Sequence, residues 1–591
     1  MRTLEIDDNN ICYIKNEYEP VLIEYIKSIP GRRWIDKNRG WKVLVNSNTI
    51  PYLLELINNK GFCCEDEIYL HQLAESFNYN QTLSSSTEGI TKINIPDTLN
   101  GTLRPYQLAG IEYAINVANG NVLIADGAGV GKTMQGIGYL EIAKDCYPAI
   151  VVCLANSKTN WYKQVRKWLP LRTVGILPED TGNYDITIIN YDQLDKHLDV
   201  LRNINANCIV IDESHYLKNR QSARCKNILR LVHNRGDRDR TSKKVKYLPY
   251  WEGYRGIPQT VLLTGTPIKK SPIDLSSQLD IIGKLDQFGG ESGYARRYCN
   301  GHMGRFGYDV SGSSNEAELH NMLKSSCMVR REIADVLTDI EPINRLEYYI
   351  DISNRQEYRE AENKLATYLA GCAIRKKEFV KSISHLSKEE KEIATTNYYR
   401  EKKNKAERVE KLLLVNTLKH VTARGKIQSV IDWIDNHDEK LMVYCWHVDV
   451  IEALANHYKA PIINGSVPLT KRDKIKEDFI SNSDTKLLFL NIQSGGTALD
   501  GFQDCCNNML LVEYPWTPDE LEQVEARLRR SGQEKRVNVH YMIGSDTVDE
   551  YVLEVLSTRK QVNDKVLNGN TGQKIGDTID EICNKVVDKY R

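Results

Sequence analysis

The 591-residue sequence has no excess of charge of either sign: 79 Lys and Arg residues balance 79 Asp and Glu residues. A globally basic surface is excluded, so any contact with a polyanion has to come from a local groove. Cysteines at metal-ligand spacing are also missing. The 14 cysteines are mostly singletons, with adjacent pairs at Cys63-Cys64 and Cys505-Cys506, and no two stand two to four residues apart, so no structural metal is expected. No run of eighteen apolar residues occurs, and Met1-Arg2-Thr3-Leu4-Glu5-Ile6-Asp7-Asp8 has no apolar core behind a basic tip. Neither membrane insertion nor secretion is expected, and the expectation is an intracellular protein with reduced thiols. What is present is 41% hydrophobic and 27% charged residues, the balance of an ordinary globular chain. At roughly 100–200 residues per domain, the length calls for about three to five domains or sub-domains.

Short apolar runs ending in loops recur with helical stretches between them. Val122–Ala125, Ala149–Leu154, Ile186–Ile189, Cys208–Ile211 and Thr260–Leu263 form one set; Leu441–Cys445, Lys486–Leu490 and Asn508–Val512 form a second. Buried strands alternating with helices predict an α/β chain with two parallel sheets, each covered on both faces. Between the sets, roughly Lys269–His420, long helical stretches such as Arg355–Leu369 and Ser387–Leu414 predict insertions and a linker. Residues 1 to about 80 form a separate piece, followed by the polar stretch Asn80–Thr87, which reads as a linker.

Two segments carry chemistry. The run Val122–Ala125 enters Asp126-Gly127-Ala128-Gly129-Val130-Gly131-Lys132-Thr133 before a helical stretch. Strand, glycine turn and helix put successive amide N–H groups and a helix N-terminus around an anion, as a triphosphate requires. The strict phosphate-loop pattern has glycine where this chain has Asp126, and in isolation a glycine-rich turn with an incidental Gly-Lys-Thr reads the same. In the phosphate reading, Lys132 contacts the β- and γ-phosphates and the Thr133 hydroxyl ligates magnesium. The run Cys208–Ile211 delivers Asp212-Glu213-Ser214-His215 at its carboxyl end, where ligands of open α/β sheets bind. Asp212 is suited to hold hydrated magnesium, and Glu213 to orient and deprotonate a water; a capping turn is the plain alternative.

With Leu263-Thr264-Gly265-Thr266-Pro267 added, the set resembles helicase superfamily 2, and more narrowly its Swi/Snf family of DNA-translocating ATPases, over about 450 residues from Leu103 to near Tyr551. That family carries aspartate at the position of Asp126. The resemblance implies two RecA-like lobes with ATP and Mg²⁺ in the cleft between them. Leu103-Arg104-Pro105-Tyr106-Gln107 resembles the adenine-recognition segment, with Gln107 reading the base edge; the nucleotide-binding set is then Gln107, Asp126, Gly127, Gly129, Gly131, Lys132, Thr133 and Gln533. Asn160-Trp161 and Asn190-Tyr191 fall where the family's first lobe contacts DNA. Met328-Val329-Arg330-Arg331 with Asp335-Val336-Leu337 resembles the segment closing that lobe. In the second lobe, Ile463-Asn464-Gly465-Ser466 with Arg472, and Gln493-Ser494-Gly495-Gly496-Thr497-Ala498-Leu499-Asp500, resemble family motifs, the latter gripping a DNA phosphate through Ser494–Thr497. Pro515-Trp516-Thr517-Pro518 with Gln523, Arg527, Arg530, Gly532 and Gln533 resembles the last motif. Arg527 and Arg530, three apart and expected on one helical face, would reach a γ-phosphate held by the other lobe; a solvated basic helix is the alternative. Ala526 and Arg529 depart from the family's usual acidic residue and histidine. The spacing from Asp212 to Thr264 is long, and the excess near Asn234–Pro258 is basic: a finger along a phosphate backbone or a surface loop.

At the N-terminus, Ile29-Pro30-Gly31-Arg32-Arg33-Trp34, then Asp36, Lys37, Trp41 and Ile50–Asn59, resemble the HARP (HepA-related protein) domain of annealing helicases. Arg32 and Arg33 would hold a phosphate while Trp34 stacks on an exposed base; a small scaffold with surface arginines is the alternative. The expected division is residues 1–80 HARP-like and α+β, 81–96 linker, and 97–345 first lobe, with a basic insertion near 234–258 and a helical one near 270–325. Residues 346–420 are expected as a helical linker or protrusion, 421–560 as the second lobe and 561–591 as a tail. The implied activity is DNA-dependent ATP hydrolysis with translocation on double-stranded or branched DNA, in replication, recombination or repair. A monomer is expected, with replication or recombination proteins as partners and no membrane. An RNA-directed or polymerase-recycling ATPase, a non-catalytic DNA-binding scaffold and a nuclease subunit are the competing readings. The compact length suggests a bacterial or viral source and a cytoplasmic, nucleoid-associated setting.

Overall fold

The computed structural model of the chain describes residues 2–8, 10–36, 40–89, 93–235, 237–239, 246–248, 251–269, 271–304, 307–310, 312–336, 340–387, 390–391, 403–495, 501–530, 532–567 and 578–589. The first set of apolar runs becomes the strands Asn121–Ile124, Ala149–Cys153, Ile186–Asn190, Cys208–Asp212 and Gln259–Leu263. Val174–Ile176 and Met328–Val329 complete a seven-stranded sheet ordered, by first residue, 328, 121, 259, 208, 149, 186, 174. All its pairings are parallel. Every residue of Ala149–Cys153 and of Ile186–Asn190 is buried, as a sheet covered on both faces requires.

A second parallel sheet of six strands is ordered 344, 538, 508, 441, 487, 462. Its edge strand, Asn344–Ile350, precedes the long helices Arg355–Ser382 and Lys403–Asp435. The expected boundaries at 345/346 and 420/421 therefore fall inside elements of the second lobe. The strand alternates half-buried and exposed positions along its whole length, so it offers no continuous apolar run. Residues 561–591 are not a plain tail either. The helix Val548–Leu567 runs past 561, and Thr578–Lys589 lays Ile582, Cys583 and Val586 into the second-lobe core.

The N-terminal piece is a five-stranded mixed sheet ordered Arg33–Asp36, Gly40–Leu44, Ile11–Lys15, Thr3–Ile6, Cys63–Cys64. The helices Pro20–Ser28 and Ile50–Lys60 cover it, burying Leu22, Ile26, Leu53 and Leu56 against Leu4 and Ile14. The helix Glu67–Ser84 then reaches the first lobe, so the expected linker at Asn80–Thr87 is helical as far as Ser84. It lies along the helix Glu316–Ser326, where Asn80 Nδ2 donates to the Ser325 carbonyl at 3.1 Å. Asn48 Nδ2 donates to the Glu318 carbonyl at 2.9 Å, and Leu83 is fully buried in the first-lobe core. Full burial of one such leucine contributes ~1.5–3 kcal/mol.

Of the basic insertion, Arg235 pairs with Asp280 at 2.8 Å, and Asp237–Asp239 pairs antiparallel with Lys246–Leu248. Arg240, Lys243 and Lys244 lie outside the described residues, as do Lys37 and Leu337.

Candidate active site

The strand Asn121–Ile124 ends under a loop whose turns need glycine. Gly129 (φ 84°) and Gly131 (φ 83°) occupy the left-handed region, which other side chains enter at a cost. The helix Lys132–Ile142 starts directly after Gly131, so the amides of its first turn face the loop interior. Lys132 Nζ donates to the carbonyls of Asp126 (2.9 Å) and Gly127 (2.8 Å). Burial lowers the pKa of its ammonium, while Glu213, Asp126 and Asp212 act in the opposite direction. Gly265 crowns the lysine: a Cβ there would lie 3.4 Å from Nζ.

Asp212 ends the neighbouring strand Cys208–Asp212. Its Oδ2 accepts from Trp161 Nε1 at 2.8 Å and its Oδ1 from the Glu213 amide at 3.0 Å. Burial, with Glu213 beside it, pushes the Asp212 carboxyl up to about 7. Glu213 takes the left-handed region at φ 51°, a conformation costing a non-glycine residue roughly 1–3 kcal/mol. Burial would raise its carboxyl too, but His215, Lys132 and Lys269 outweigh that and hold it down at about 2. His215 Nδ1 stands 3.1 Å from Glu213 Oε2 and 3.0 Å from the Thr264 hydroxyl. His215 is thus the nearest partner of the Glu213 carboxylate and the first of the groups that hold its pKa down. The two neighbouring carboxyls are shifted in opposite directions by their surroundings.

Across the cleft, Thr517 caps the helix Pro518–Glu525 by accepting the Glu520 amide at 3.4 Å. The expected helical face for the arginines is corrected: the helix ends at Glu525, and Arg527 and Arg530 stand on the turns that follow. Turns serve the same end, because Arg527 N donates to Val524 O at 3.1 Å and Arg530 Nε to Ala526 O at 3.0 Å. The lobes meet here. A Cβ on Gly129 would lie 3.0 Å from the Arg529 carbonyl and 3.6 Å from Arg530 Cγ. Lys132, Thr133, Asp212, Glu213, Arg527 and Arg530 all line one cleft of about 390 Å³.

Other expected site residues are placed differently. Asp126 is fully buried, and its carboxylate is taken by Arg331 and Gln135 instead of facing the cleft. The Gly127 amide donates to Arg331 O at 2.9 Å. Gln107 Oε1 accepts the Arg104 amide at 2.9 Å and its Nε2 donates to Val130 O at 3.2 Å, so it braces the loop from behind. Gln533 Nε2 donates to Cys506 O (3.0 Å) and Leu528 O (3.2 Å), stapling the arginine turn to its own lobe. Asn190 is buried at 6% exposure and Trp161 at 1%, so neither offers its side chain to a duplex; Asn160 lines the cleft. Ser494 and Gly495 sit in the single turn Ile492–Gly495 after the strand Leu487–Asn491, and Gly496 and Thr497 lie outside the described residues. Arg472 ties the loop at Asn464 through its carbonyl at 2.7 Å.

On the N-terminal sheet, Arg33–Asp36 pairs with Gly40–Leu44, and Trp34 opposes Trp41 edge to face at 5.1 Å. Trp34 is 52% exposed, and Arg32 and Arg33 are exposed beside it. Sequence reasoning missed the anchoring of Asp126 by Arg331 and Gln135, the Trp161 bond to Asp212, and Asp519, a cleft carboxyl that burial pushes up to about 7. Arg331 and Trp161 lie far along the chain from the carboxylates they hold, with no local pattern to signal them, whereas Gln135 is nine positions from Asp126.

Residues 106–235 match the SNF2-related domain and residues 425–532 the helicase conserved C-terminal domain. The DNA annealing helicase and endonuclease ZRANB3 of Bos taurus is 28% identical over 515 residues, covering 83% of this chain and 43% of that protein. The SWI/SNF-related matrix-associated actin-dependent regulator of chromatin subfamily A-like protein 1 of Xenopus laevis is 25% identical over 560 residues, covering 92% and 52%. The chain thus spans about half the length, or less, of these relatives. The solved Sulfolobus solfataricus SWI2/SNF2 ATPase core in complex with dsDNA aligns over 81% of this chain and 96% of that one, at 19% identity and a TM-score of 0.36, too loosely to transfer geometry. The expected bacterial or viral source and cytoplasmic setting are overturned: the curated relatives are animal proteins, regulators of chromatin among them.

Proposed function

We propose that this chain belongs to the Swi/Snf family of helicase superfamily 2, on its matches to the SNF2-related and helicase C-terminal domains and its similarity to the two relatives named above, and that it is a DNA-dependent ATPase and double-stranded DNA translocase that remodels branched or partly unwound DNA. The observation that carries the reading is the apposition of Arg529-Arg530 to Gly129, which sets the arginines of one lobe over the phosphate loop of the other. ATP with Mg²⁺ fits the donor set. The loop offers an amide cradle and an ammonium, and the carboxyls of Asp212 and Glu213 line the same cleft. Lys132 would exchange its loop carbonyls for the β- and γ-phosphates. Thr133 and Asp212 would hold the metal, which when bound neutralises charge on the phosphate oxygens. Glu213, held ionised, would take the proton of the attacking water. Arg527 and Arg530 would stabilise the transferring phosphoryl group only while the lobes are closed, which makes turnover depend on what holds them together.

Asn160 and Ser494–Thr497 are the proposed contacts to the duplex backbone, one on each lobe, so closing and opening would move one contact relative to the other along a strand. Residues 1–80 are the proposed HARP-like junction-binding unit, with Arg32, Arg33 and Trp34 at the branch. A monomer is proposed as the working form, acting with replication or recombination proteins. Phosphate release with forked DNA, duplex, single strands and RNA tests the reading. Fork and duplex should stimulate most; turnover that is indifferent to DNA, or driven best by RNA, would refute it.

A further inference from the structure

Arg331 closes the first lobe, at the end of the edge strand Met328–Val329, and its side chain is 1% exposed against a fully buried Asp126. Its donors are all engaged, and with four different segments. Nε and Nη2 hold the two oxygens of Asp126 at 3.0 and 2.6 Å, and the Arg331 amide adds a bond to Oδ1 at 2.9 Å. Nη2 also meets Gln135 Oε1 at 3.0 Å, on the helix that follows the phosphate loop. Nη1 donates to the carbonyls of Tyr106 and Ser86, the latter at 3.2 Å. Arg331 O, in turn, accepts the Gly127 amide at 2.9 Å. The loop is therefore gripped at Asp126 and Gly127 from the side opposite the cleft. Space around the grip is tight: a Cβ on Gly110 would lie 2.3 Å from Gln135 Oε1 and 2.7 Å from Arg331 Nη2.

The same strand end is where the N-terminal piece arrives. Ser84, last residue of the helix Glu67–Ser84, donates its hydroxyl to Met328 O at 2.6 Å and accepts the Arg330 amide on its carbonyl at 3.2 Å. Ser86, two residues on, is a direct acceptor of Arg331. The helix that follows the arginine–tryptophan sheet thus ends against Met328 and Arg330, and the chain two residues on bonds the arginine that fixes the phosphate loop.

We infer that Arg331 is a positioning residue for the phosphate loop, and the joint through which the seating of the N-terminal unit reaches that loop. The inference rests on the ATP reading of the loop. A planar fork is needed, because only guanidinium presents donors to a bidentate carboxylate and to two carbonyls at once; lysine keeps the charge at a single point. Because Glu213, Arg527 and Arg530 belong to other elements, loosening the joint affects how well nucleotide is held more than how fast it is cleaved.

The test uses the full chain carrying Arg331→Lys, Gly110→Ala or Ser84→Ala, with fluorescent ATP binding, KM and kcat for ATP on duplex DNA, and a melting curve. The KM and the dissociation constant should rise about tenfold for Arg331→Lys and Gly110→Ala. For Ser84→Ala, which touches neither nucleotide nor loop, they should rise severalfold. In all three, kcat should stay within about threefold. A purely structural role would lower the melting temperature and kcat together, through loss of folded protein, at unchanged KM; that result overturns the inference. An unchanged KM in Ser84→Ala alone overturns the joint. Failure of the wild-type chain to bind the ATP probe would sink the ATP reading itself, a separate outcome.

Discussion

Replacing Trp161 by phenylalanine separates the metal-holding role of Asp212 from the architecture of the cleft. Trp161 sits on the helix Lys158–Trp168, 1% exposed, and its indole N–H is the side-chain donor to Asp212 Oδ2, at 2.8 Å. Phenylalanine keeps an aromatic ring there but removes the donor. A hydrogen bond to a charged group contributes ~1.5–3 kcal/mol, a factor of about 10 to 150 in an equilibrium constant. Burial already disfavours the ionised form of Asp212, so the loss falls on the form that would hold magnesium. The expected result is a Mg²⁺ half-saturation for DNA-stimulated ATP hydrolysis raised about tenfold or more, with turnover recovering at high Mg²⁺. The smaller ring also vacates space against Gly136, where an added Cβ would lie 3.3 Å from Trp161 Cη2. That costs stability and lowers the melting temperature, but does not shift the metal dependence. An unchanged Mg²⁺ half-saturation in a folded variant would show that the indole does not tune Asp212.

Arg530→Ala should keep ATP binding within about threefold while phosphate release falls ~10³-fold or more, the usual worth of an arginine finger; turnover within tenfold of wild type would mean the lobes do not share the site. Arg32→Ala with Arg33→Ala should weaken fork binding and reduce the slope of log affinity against log salt by about two, one per lost phosphate contact; an unaltered slope would remove these arginines from the DNA interface. Glu513 accepts the amides of Trp446 and His447 at 2.8 Å each and His447 Nδ1 at 2.6 Å. Burial would raise its carboxyl, but His447 and Lys419 outweigh burial and hold it below the usual range. With a depressed folded value, its stabilisation is present above the unfolded value of about 4.3 and is lost as pH falls through the folded one. Glu513→Gln should therefore melt lower at neutral pH and decline less in acid; parallel melting curves from pH 7 to 3 would contradict the assignment.

The interior strands were legible because burial on both faces leaves continuous runs such as Ile186–Ile189, which pattern alone detects. Asn344–Ile350 was not, since an edge strand with alternating exposure resembles the start of the polar helices that follow it. Residue type at the strand ends was a sufficient guide to position for Lys132 and Glu213, which both line the cleft. It failed where a motif residue serves its motif mechanically. Gln107, Asp126 and Gln533 all stand in the expected segments, yet each directs its polar atoms to backbone or to a buried partner. No local spacing announces that Asp126 would meet an arginine 205 positions away. The aspartate that makes the phosphate loop irregular as a pattern is, in three dimensions, its fastening.

That fastening bears on how the two lobes can work against each other. The phosphate loop is held to its own lobe from behind by the buried Arg331–Asp126 grip. On the cleft side the contacts are of another kind. The arginine turn touches Gly129 through a backbone carbonyl, and Lys163 pairs with Asp473 across the lobes at 3.0 Å with both side chains largely exposed. A solvent-exposed ion pair is worth ~0–1 kcal/mol and is screened by salt. Contacts of this kind add little to closure, so a ligand that prefers the closed arrangement has little to overcome at them. Lys163→Glu, by putting two carboxylates face to face, should then raise the DNA concentration needed for half-maximal ATPase several-fold while leaving ATP binding to the first lobe unchanged. If the DNA requirement does not move, closure is held by something other than the surface the lobes share.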